Sequence, residues 1–388
     1  MTAPIFILAG EPSGDRLAAS LMRAIETGHG PQSWIGIGGP ALMAQGMVSR
    51  HQMDQLTIMG FGAALTAYPR LSGLADRLVD EIVAARPRLV LTVDVKGFSL
   101  RLAARLKRRM ASAGWSAPIV HAVAPTVWAW GAWRRHRVAR AVDGLLCLFP
   151  FEPDYFTPLG VDAHFIGHPE AFNPAYDQPI RPSWAGEAPH IAILPGSRRS
   201  EIQNMLPKML LTLNNLRFTY PGITATIPTL PHMGVEIENV FTRMPGADTG
   251  VSVDAQEGAL FRALGNAHGF LAASGTVTLQ TALYGVPGVT CYITSGLSAA
   301  IGRRLVRMDR VILPNAILGR QVYPFLFQEA ATPRELTRTM LQILGDDKAG
   351  RRARDDAAEL RGALRGRSTS FDDNVARAMA CWLDPQQG

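Results

Sequence analysis

The chain has 388 residues, of which 47% are hydrophobic and 18% charged, a composition that excludes intrinsic disorder over most of its length and predicts two or three globular domains. The formal net charge is +7, and the three cysteines, Cys147, Cys291 and Cys381, are far apart with no C-x-x-C pair, which excludes a disulfide framework and a thiolate zinc site. The longest weakly polar run, Ile119–Trp133, is too short for the roughly 18–20 residues of a membrane span and carries His121, Pro125 and Gly131. The apolar stretch Ile5–Ala9 meets Gly10, Glu11 and Asp15 without a basic region before it, so no signal peptide is expected and the protein is placed in the cytosol.

In chain order, Ile5–Ala9 reads as a buried strand followed by a helix from Asp15 to about Glu26. Leu89–Val93 and Ser99–Met110 repeat that pair, and Ile119–Val123, Gly144–Leu148 and Phe165–Gly167 are further strands. Between Gly167 and His190 stand Pro169, Pro174, Pro179, Pro182 and Pro189 with little periodicity, the pattern of a linker. The alternation then resumes with strand His190–Leu194, helix Glu201–Tyr220 and strand Thr224–Pro228. Strand His268–Ala272, helix Thr276–Tyr284 and strand Gly288–Tyr292 follow. Alternation of this kind predicts α/β architecture with two doubly wound parallel sheets, each in a Rossmann-like domain. The expected domains are 1–168, a linker at 169–189, and 190–345; helices in 346–388 pack back on the first domain. The charge run Asp346–Arg367 is expected as an exposed helix, and Phe371–Leu383 as an amphipathic one.

Open α/β sheets bind ligands at the carboxyl ends of their strands, so the strand-to-helix turns are the candidates. Gly10-Glu11-Pro12-Ser13-Gly14-Asp15 has glycines for a tight turn, yet Ser13 or Asp15 could equally cap the helix. Leu194-Pro195-Gly196-Ser197-Arg198-Arg199-Ser200-Glu201 and Ala273-Ser274-Gly275-Thr276 both set backbone N–H groups and hydroxyls at a helix start, an arrangement that suits a phosphate or diphosphate. Arg198 adds a cation, and neither turn has the spacing of an NTP-hydrolysing loop. Asp94 ends the strand Leu89–Val93 and reads either as a general base or as a helix N-cap. His121 and His168 are further acid–base candidates, although a lone His near a strand more often satisfies a hydrogen bond in the protein body.

From Val95 to Val142 there are ten Lys and Arg residues and no Asp or Glu, so this segment exceeds the net charge of the whole chain. Trp128, Trp130 and Trp133 lie just before Arg134 and Arg135, a combination that suits an anionic membrane surface. A nucleic acid is the rival partner, disfavoured because no recognised motif accompanies the charge, and a helix face with buried Trp is the plain alternative.

These segments together resemble lipid-A-disaccharide synthases, inverting glycosyltransferases of the two-domain GT-B type. The resemblance rests on Ala9–Asp15, Gly36-Ile37-Gly38-Gly39-Pro40, Ile58-Met59-Gly60 and Pro125-Thr126-Val127-Trp128-Ala129-Trp130. It continues through Phe149-Pro150-Phe151-Glu152, Phe165–Pro169, Leu194–Arg198, Ala273–Thr276 and Leu313-Pro314-Asn315. It implies two domains facing across a cleft and transfer of the sugar of UDP-2,3-diacylglucosamine to the 6-hydroxyl of 2,3-diacylglucosamine 1-phosphate, with no cofactor and no metal. Carried over, Asp94 is the general base, while Gly196, Ser197, Arg198, Glu201, Ser274, Gly275, Thr276 and Gln280 bind UDP. Glu11, Ser13, Asp15 and Asn315 face the acceptor. Ile58–Tyr68 and the segment with Trp128, Trp130, Trp133, Arg134 and Arg135 meet the bilayer, which implies a cytoplasmic protein held peripherally on the anionic inner membrane and a homodimer as a possible state. Four departures mark a divergent member: the family's Asp-x-Pro-Asp-Phe-Asn is Asp94-Val95-Lys96-Gly97-Phe98-Ser99, a Glu is Gln280, an Arg is Ile293, and Pro-Glu-Leu-Leu-Gln is Pro324-Phe325-Leu326-Phe327-Gln328. The alternatives are a sibling transferase for another acyl-sugar or nucleotide sugar, and a degenerate sugar-nucleotide or lipid-binding protein.

Overall fold

A computed structural model describes residues 3–56, 61–129, 131–177, 188–293 and 311–384, with the backbone alone for 61–68 and 96. Two compact units emerge, Met1–Phe172 with Leu364–Gly388, and Asn173–Ala363. Each is built on a six-stranded parallel sheet.

In the first unit the elements run β1 (Ile5–Ala9), α1 (Pro12–His29), β2 (Trp34–Ile37), α2 (Pro40–Ala44), α3 (Phe61–Ala85), β3 (Leu89–Val93) and α4 (Lys96–Ser112). They continue with β4 (Ile119–Ala122), α5 (Arg135–Ala141), β5 (Gly144–Cys147) and β6 (Asp162–Phe165), in strand order β2-β1-β3-β4-β5-β6. The central strands are buried on both faces, which is why Ile-Phe-Ile-Leu-Ala and Leu-Val-Leu-Thr-Val read as continuous apolar runs. One face is filled from α3, α4 and α5 through Leu78, Ile82, Leu102 and Leu106. The other is filled by α1 and by the last helix of the chain through Leu21, Ile25, Val375 and Met379.

In the second unit come β7 (His190–Leu194), α6 (Arg199–Leu216), β8 (Thr224–Pro228), α7 (Gly234–Arg243), β9 (Val251–Asp254), α8 (Ala259–Asn266), β10 (Gly269–Ala273) and α9 (Val277–Tyr284). Then follow β11 (Gly288–Tyr292), α10 (Leu313–Leu318), β12 (Phe325–Phe327), α11 (Pro333–Leu344) and α12 (Ala349–Arg365), in strand order β12-β11-β10-β7-β8-β9. The closing helix α13 (Phe371–Leu383) returns to the first unit. Ser370 caps it, its hydroxyl accepting from Asp373 N at 3.0 Å.

The α/β class with two parallel sheets is borne out, while the domain limits differ from those expected. Pro169–Phe172 and Pro174–Asp177 form short 3₁₀ turns on either side of the division at 172/173, and 178–187 lies outside the described residues. Most of α12 belongs to the second unit. Arg320 pairs with Asp356 at 2.6 Å and with Glu359, and Arg361 pairs with Asp177 at 2.7 Å, all within that unit. Leu360 and Leu364 are fully buried, so α12 is amphipathic and not the solvated helix its charges suggest.

Candidate active site

In the first sheet Ala9 is paired with Val93, and Val93 with Ala122. The residues that follow, Gly10–Glu11, Asp94–Val95 and Val123, therefore share one carboxyl edge. Three of them hold left-handed backbone without being glycine: Asp94 (φ 53°), Val95 (φ 46°) and Val123 (φ 74°). Such residues cost on the order of 1–3 kcal/mol each and persist only where the surroundings fix them. Here Asp94 N donates to Ala122 O (3.1 Å), Val123 N to Leu146 O (3.0 Å), and Ser99 Oγ to Asp94 O (2.9 Å).

The helix N-cap is Val95, with no side-chain cap, so Asp94 does not serve as the cap. Its half-buried carboxylate makes no hydrogen bond or ion pair among the described residues. Gly14 packs against it: a side chain there would stand 3.6 Å from Asp94 Cβ. Glu11 occupies the N-cap position of α1 without capping it, and Glu11 and Ser13 are exposed on this same turn.

Asp15 differs from expectation. It is 2% exposed, and its carboxylate accepts from Gly39 N (2.7 Å), Ala41 N (2.8 Å) and Leu42 N (3.3 Å). It thus caps α2 from a neighbouring helix and fixes the Gly38-Gly39-Pro40 turn, leaving its oxygens to the fold and not to an acceptor. Asn315 is likewise committed to structure. Its carbonyl oxygen accepts from Val322 N (2.9 Å) and Tyr323 N (3.0 Å), and its amide donates to Tyr323 O (2.9 Å), closing the loop after α10 in the second unit. His121 is buried beside Thr92, with 2.8 Å between Nδ1 and Oγ1, and His168 stacks on Phe149 at 5.7 Å, where burial pushes its pKa down to about 4. Both are residues of the protein body.

The second sheet gathers the other candidates. Leu194 is paired with Ala272 and Ala273 with Cys291, so the turns after β7 and β10 and the end of β11 lie side by side. In the first turn Glu201 folds back: it accepts from Ser197 N (3.1 Å) and Arg198 N (3.3 Å) and pairs with the Arg198 guanidinium (2.7 Å). A side chain at Gly196 (φ 109°) would collide with that carboxylate. The turn therefore already forms an anion seat, occupied by a carboxylate of its own. In the second turn Ser274 N donates to Cys291 O (2.9 Å), while Gly275 and Thr276 are exposed at the positive end of α9, with Gln280 one turn in. Tyr292, to which sequence reasoning gave no role, ends β11 here. Burial and the Glu201 carboxylate push its phenol pKa up. Its place at a strand end was the available signal.

The Trp and Arg segment divides. Trp128 is 4% exposed, edge-on to Phe151 at 5.2 Å and to Phe149 at 6.1 Å, so it is a core residue and does not meet a membrane. Its Nε1 donates to Glu152 Oε1 at 3.3 Å, and Glu152 Oε2 also accepts from Leu148 N (3.0 Å) and Phe149 N (3.1 Å). Glu152 is thus a buried organiser that sequence reasoning passed over, although it ends the Phe-Pro-Phe-Glu motif. Trp133 is 70% exposed, Arg134 and Arg135 are half-buried, and Trp130 lies outside the described residues. Residues 58–60 are also outside them, and the side chains of 61–68 are not described. Among the described residues no helix is long and apolar enough to cross a membrane.

Asp162, His164 and Cys381 bring potential ligand atoms within 4.8 Å where α13 meets β6. Asp162 pairs with His164 at 2.7 Å, and burial together with Asp162 pushes the Cys381 thiol up to about 12. The protonated thiol suits a hydrogen-bonded contact holding α13 more than a metal ligand.

Among known proteins, the solved structures with this fold include S. aureus MnaA in a co-structure with UDP, at TM-score 0.64 and 11% identity over 99% of this chain and 97% of that one. Acinetobacter baumannii MurG superposes at TM-score 0.52 and 14% identity over 92% and 95%. Both confirm a GT-B fold. The lipid-A-disaccharide synthase of Rhodospirillum centenum is 36% identical over 362 residues, 92% of this chain and 88% of the relative. That of Anaeromyxobacter dehalogenans is 34% identical over 353 residues, 90% of each. The sequence profile of the lipid-A-disaccharide synthetase family matches residues 5–379, and the chain belongs to that family of glycosyltransferases, which form the lipid A disaccharide.

Proposed function

We propose that the chain transfers 2,3-diacylglucosamine from its UDP derivative to the 6-hydroxyl of 2,3-diacylglucosamine 1-phosphate. The acceptor oxygen bonds to the donor's anomeric carbon as the bond from that carbon to the diphosphate breaks. The hydroxyl proton passes to Asp94, UDP departs, and the new linkage is β-1,6 with inversion. The observation that carries this reading is the Asp94 carboxylate, held on a strained strand end without a partner among the described residues. A general base needs such a free lone pair.

The donor's diphosphate is assigned to the second unit. Backbone N–H groups of Ser197 and Arg198, the Arg198 guanidinium and the positive end of α9 meet the charge that develops on the departing UDP. For this the diphosphate takes the place that Glu201 now fills. Gln280 and Tyr292 offer hydrogen bonds at the same edge. Glu11 and Ser13 line the acceptor side, while Trp133 and Arg135 meet an anionic membrane surface that presents the acylated substrates.

The test is incubation of purified protein with both substrates and mass spectrometry of the products. Disaccharide 1-phosphate formed in step with UDP supports the reading; UDP release without disaccharide, or no reaction, refutes it.

A further inference from the structure

The first unit holds a cavity of about 280 Å³ between the start of α4, the segment after β4 and helix α5, walled by Gly97, Arg101, Pro125, Trp133, Arg134 and Arg137 among others. We propose that this cavity seats the phosphate of the acceptor sugar, with Arg101, Arg134 and Arg137 as its cationic cradle. The proposal rests on the transferase reading above and adds to it a residue set that selects a phosphorylated acceptor.

Charge is the first argument. Further along α4 three cations face carboxylates: Arg105 pairs with Asp76 (2.9 Å), Lys107 with Asp143 (2.8 Å) and Arg109 with Asp80 (3.6 Å), while Arg101 Nε donates to Gly97 O (2.6 Å). The wall of this cavity contains three guanidiniums and no carboxylate. Arg137 makes no hydrogen bond or ion pair among the described residues. Burial pulls the pKa of Arg134 down, so its charge gains from an anion brought alongside. Converging guanidinium forks match phosphate oxygens in pairs.

Shape is the second. At about 280 Å³ the cavity has room for a phosphate and the sugar atoms next to it, with the rest of the acceptor outside. Gly97 contributes no side chain to the wall, and a Cβ there would stand in ordinary contact with Arg101 Nη2, at 3.6 Å.

Position is the third. Gly97, in the first turn of α4, stands three residues after Asp94 at the end of β3, so the wall of the cavity follows directly in the chain on the candidate base. The C1 and C6 substituents of a hexopyranose flank the ring oxygen, so a phosphate seated here leaves the 6-hydroxyl within a ring's width.

Two measurements test this. Titration calorimetry with water-soluble glucosamine 1-phosphate, glucosamine serving as the control, should show phosphate-dependent binding that Arg137→Gln weakens tenfold or more. Arg137→Glu, which reverses the charge at the same position, should weaken it further. Steady-state transfer in detergent micelles should then show the ratio of kcat/KM for the 1-phosphate acceptor over its 1-hydroxyl analogue falling tenfold or more in both variants, through KM. Equal losses on both acceptors, or unchanged binding of glucosamine 1-phosphate, overturn the proposal. Vesicles of phosphatidylglycerol against phosphatidylcholine separate the other source of phosphate: vesicle binding lost with the acceptor ratio intact gives the cavity to a lipid headgroup and also overturns it. Absence of transfer by the unmodified protein refutes the transferase reading, and the calorimetry then decides the cavity by itself.

Discussion

Replacing Asp94 by Asn removes one charge and almost nothing else. Asn is, after Gly, among the residues that best accept left-handed backbone, so the φ of 53° at position 94 is kept, whereas Ala there would add a backbone cost on the order of 1 kcal/mol. Among the described residues no partner of the carboxylate is left behind unpaired, so the stability change should stay within about 0.5 kcal/mol. The loss therefore falls on proton transfer, worth about 10²–10⁴ in rate, or roughly 2.7–5.4 kcal/mol of barrier. Disaccharide formation measured by mass spectrometry should drop by that factor, with the affinity for UDP, measured by calorimetry, and the urea midpoint both unchanged. A D94N variant within about threefold of the original kcat would refute the assignment. So would a parallel loss of UDP affinity, since it would place Asp94 in donor binding.

Trp128→Ala should destabilise the protein by about 3–5 kcal/mol in urea denaturation, because it empties an aromatic cluster and removes a donor from buried Glu152. Trp133→Ala should leave stability within about 0.5 kcal/mol but weaken sedimentation with anionic vesicles, in a manner that salt also reproduces. Arg198→Gln should lower UDP affinity about 10- to 100-fold by calorimetry, the worth of a charge-assisted hydrogen bond to phosphate. His168 stays neutral in the native state down to about pH 4, while its unfolded form takes up a proton below about 6.5. Stability should therefore be full above pH 6.5 and fall by on the order of 2–3 kcal/mol as pH drops to 4, a slope that His168→Gln removes from the urea midpoints.

The sequence was most legible where burial is two-sided. β1, β3, β7 and β11 were read to the residue because a strand covered on both faces is apolar nearly throughout, and β8, whose burial alternates, was read from its place in the strand–helix alternation. β2, with its half-buried Trp34 and Ile35, lacks that uninterrupted run, and α3 has Pro69 inside it, so both escaped. The strand-end position of Asp94 could be read, but its left-handed turn could not, because φ follows from packing across three strands. Asp15 shows the same limit. Local spacing suggested a cap for its own helix, yet the donors it serves are 24 to 27 residues further on. Trp128 and Trp133 are five residues apart in one basic segment, and composition alone does not tell which of them turns inward.

Helix α13 has a consequence for biosynthesis. Its residues Phe371, Val375, Met379 and Leu383 complete the face of the first unit that α1 begins. A ribosome delivers that unit's sheet early and its last covering helix some two hundred residues later, after the whole of the second unit. The first-made half must therefore wait with an open apolar face while the second, contiguous in the chain, can mature at once. Chaperone demand during translation should concentrate on the amino-terminal half, and a transcript truncated before codon 371 would yield one sound half and one that cannot close.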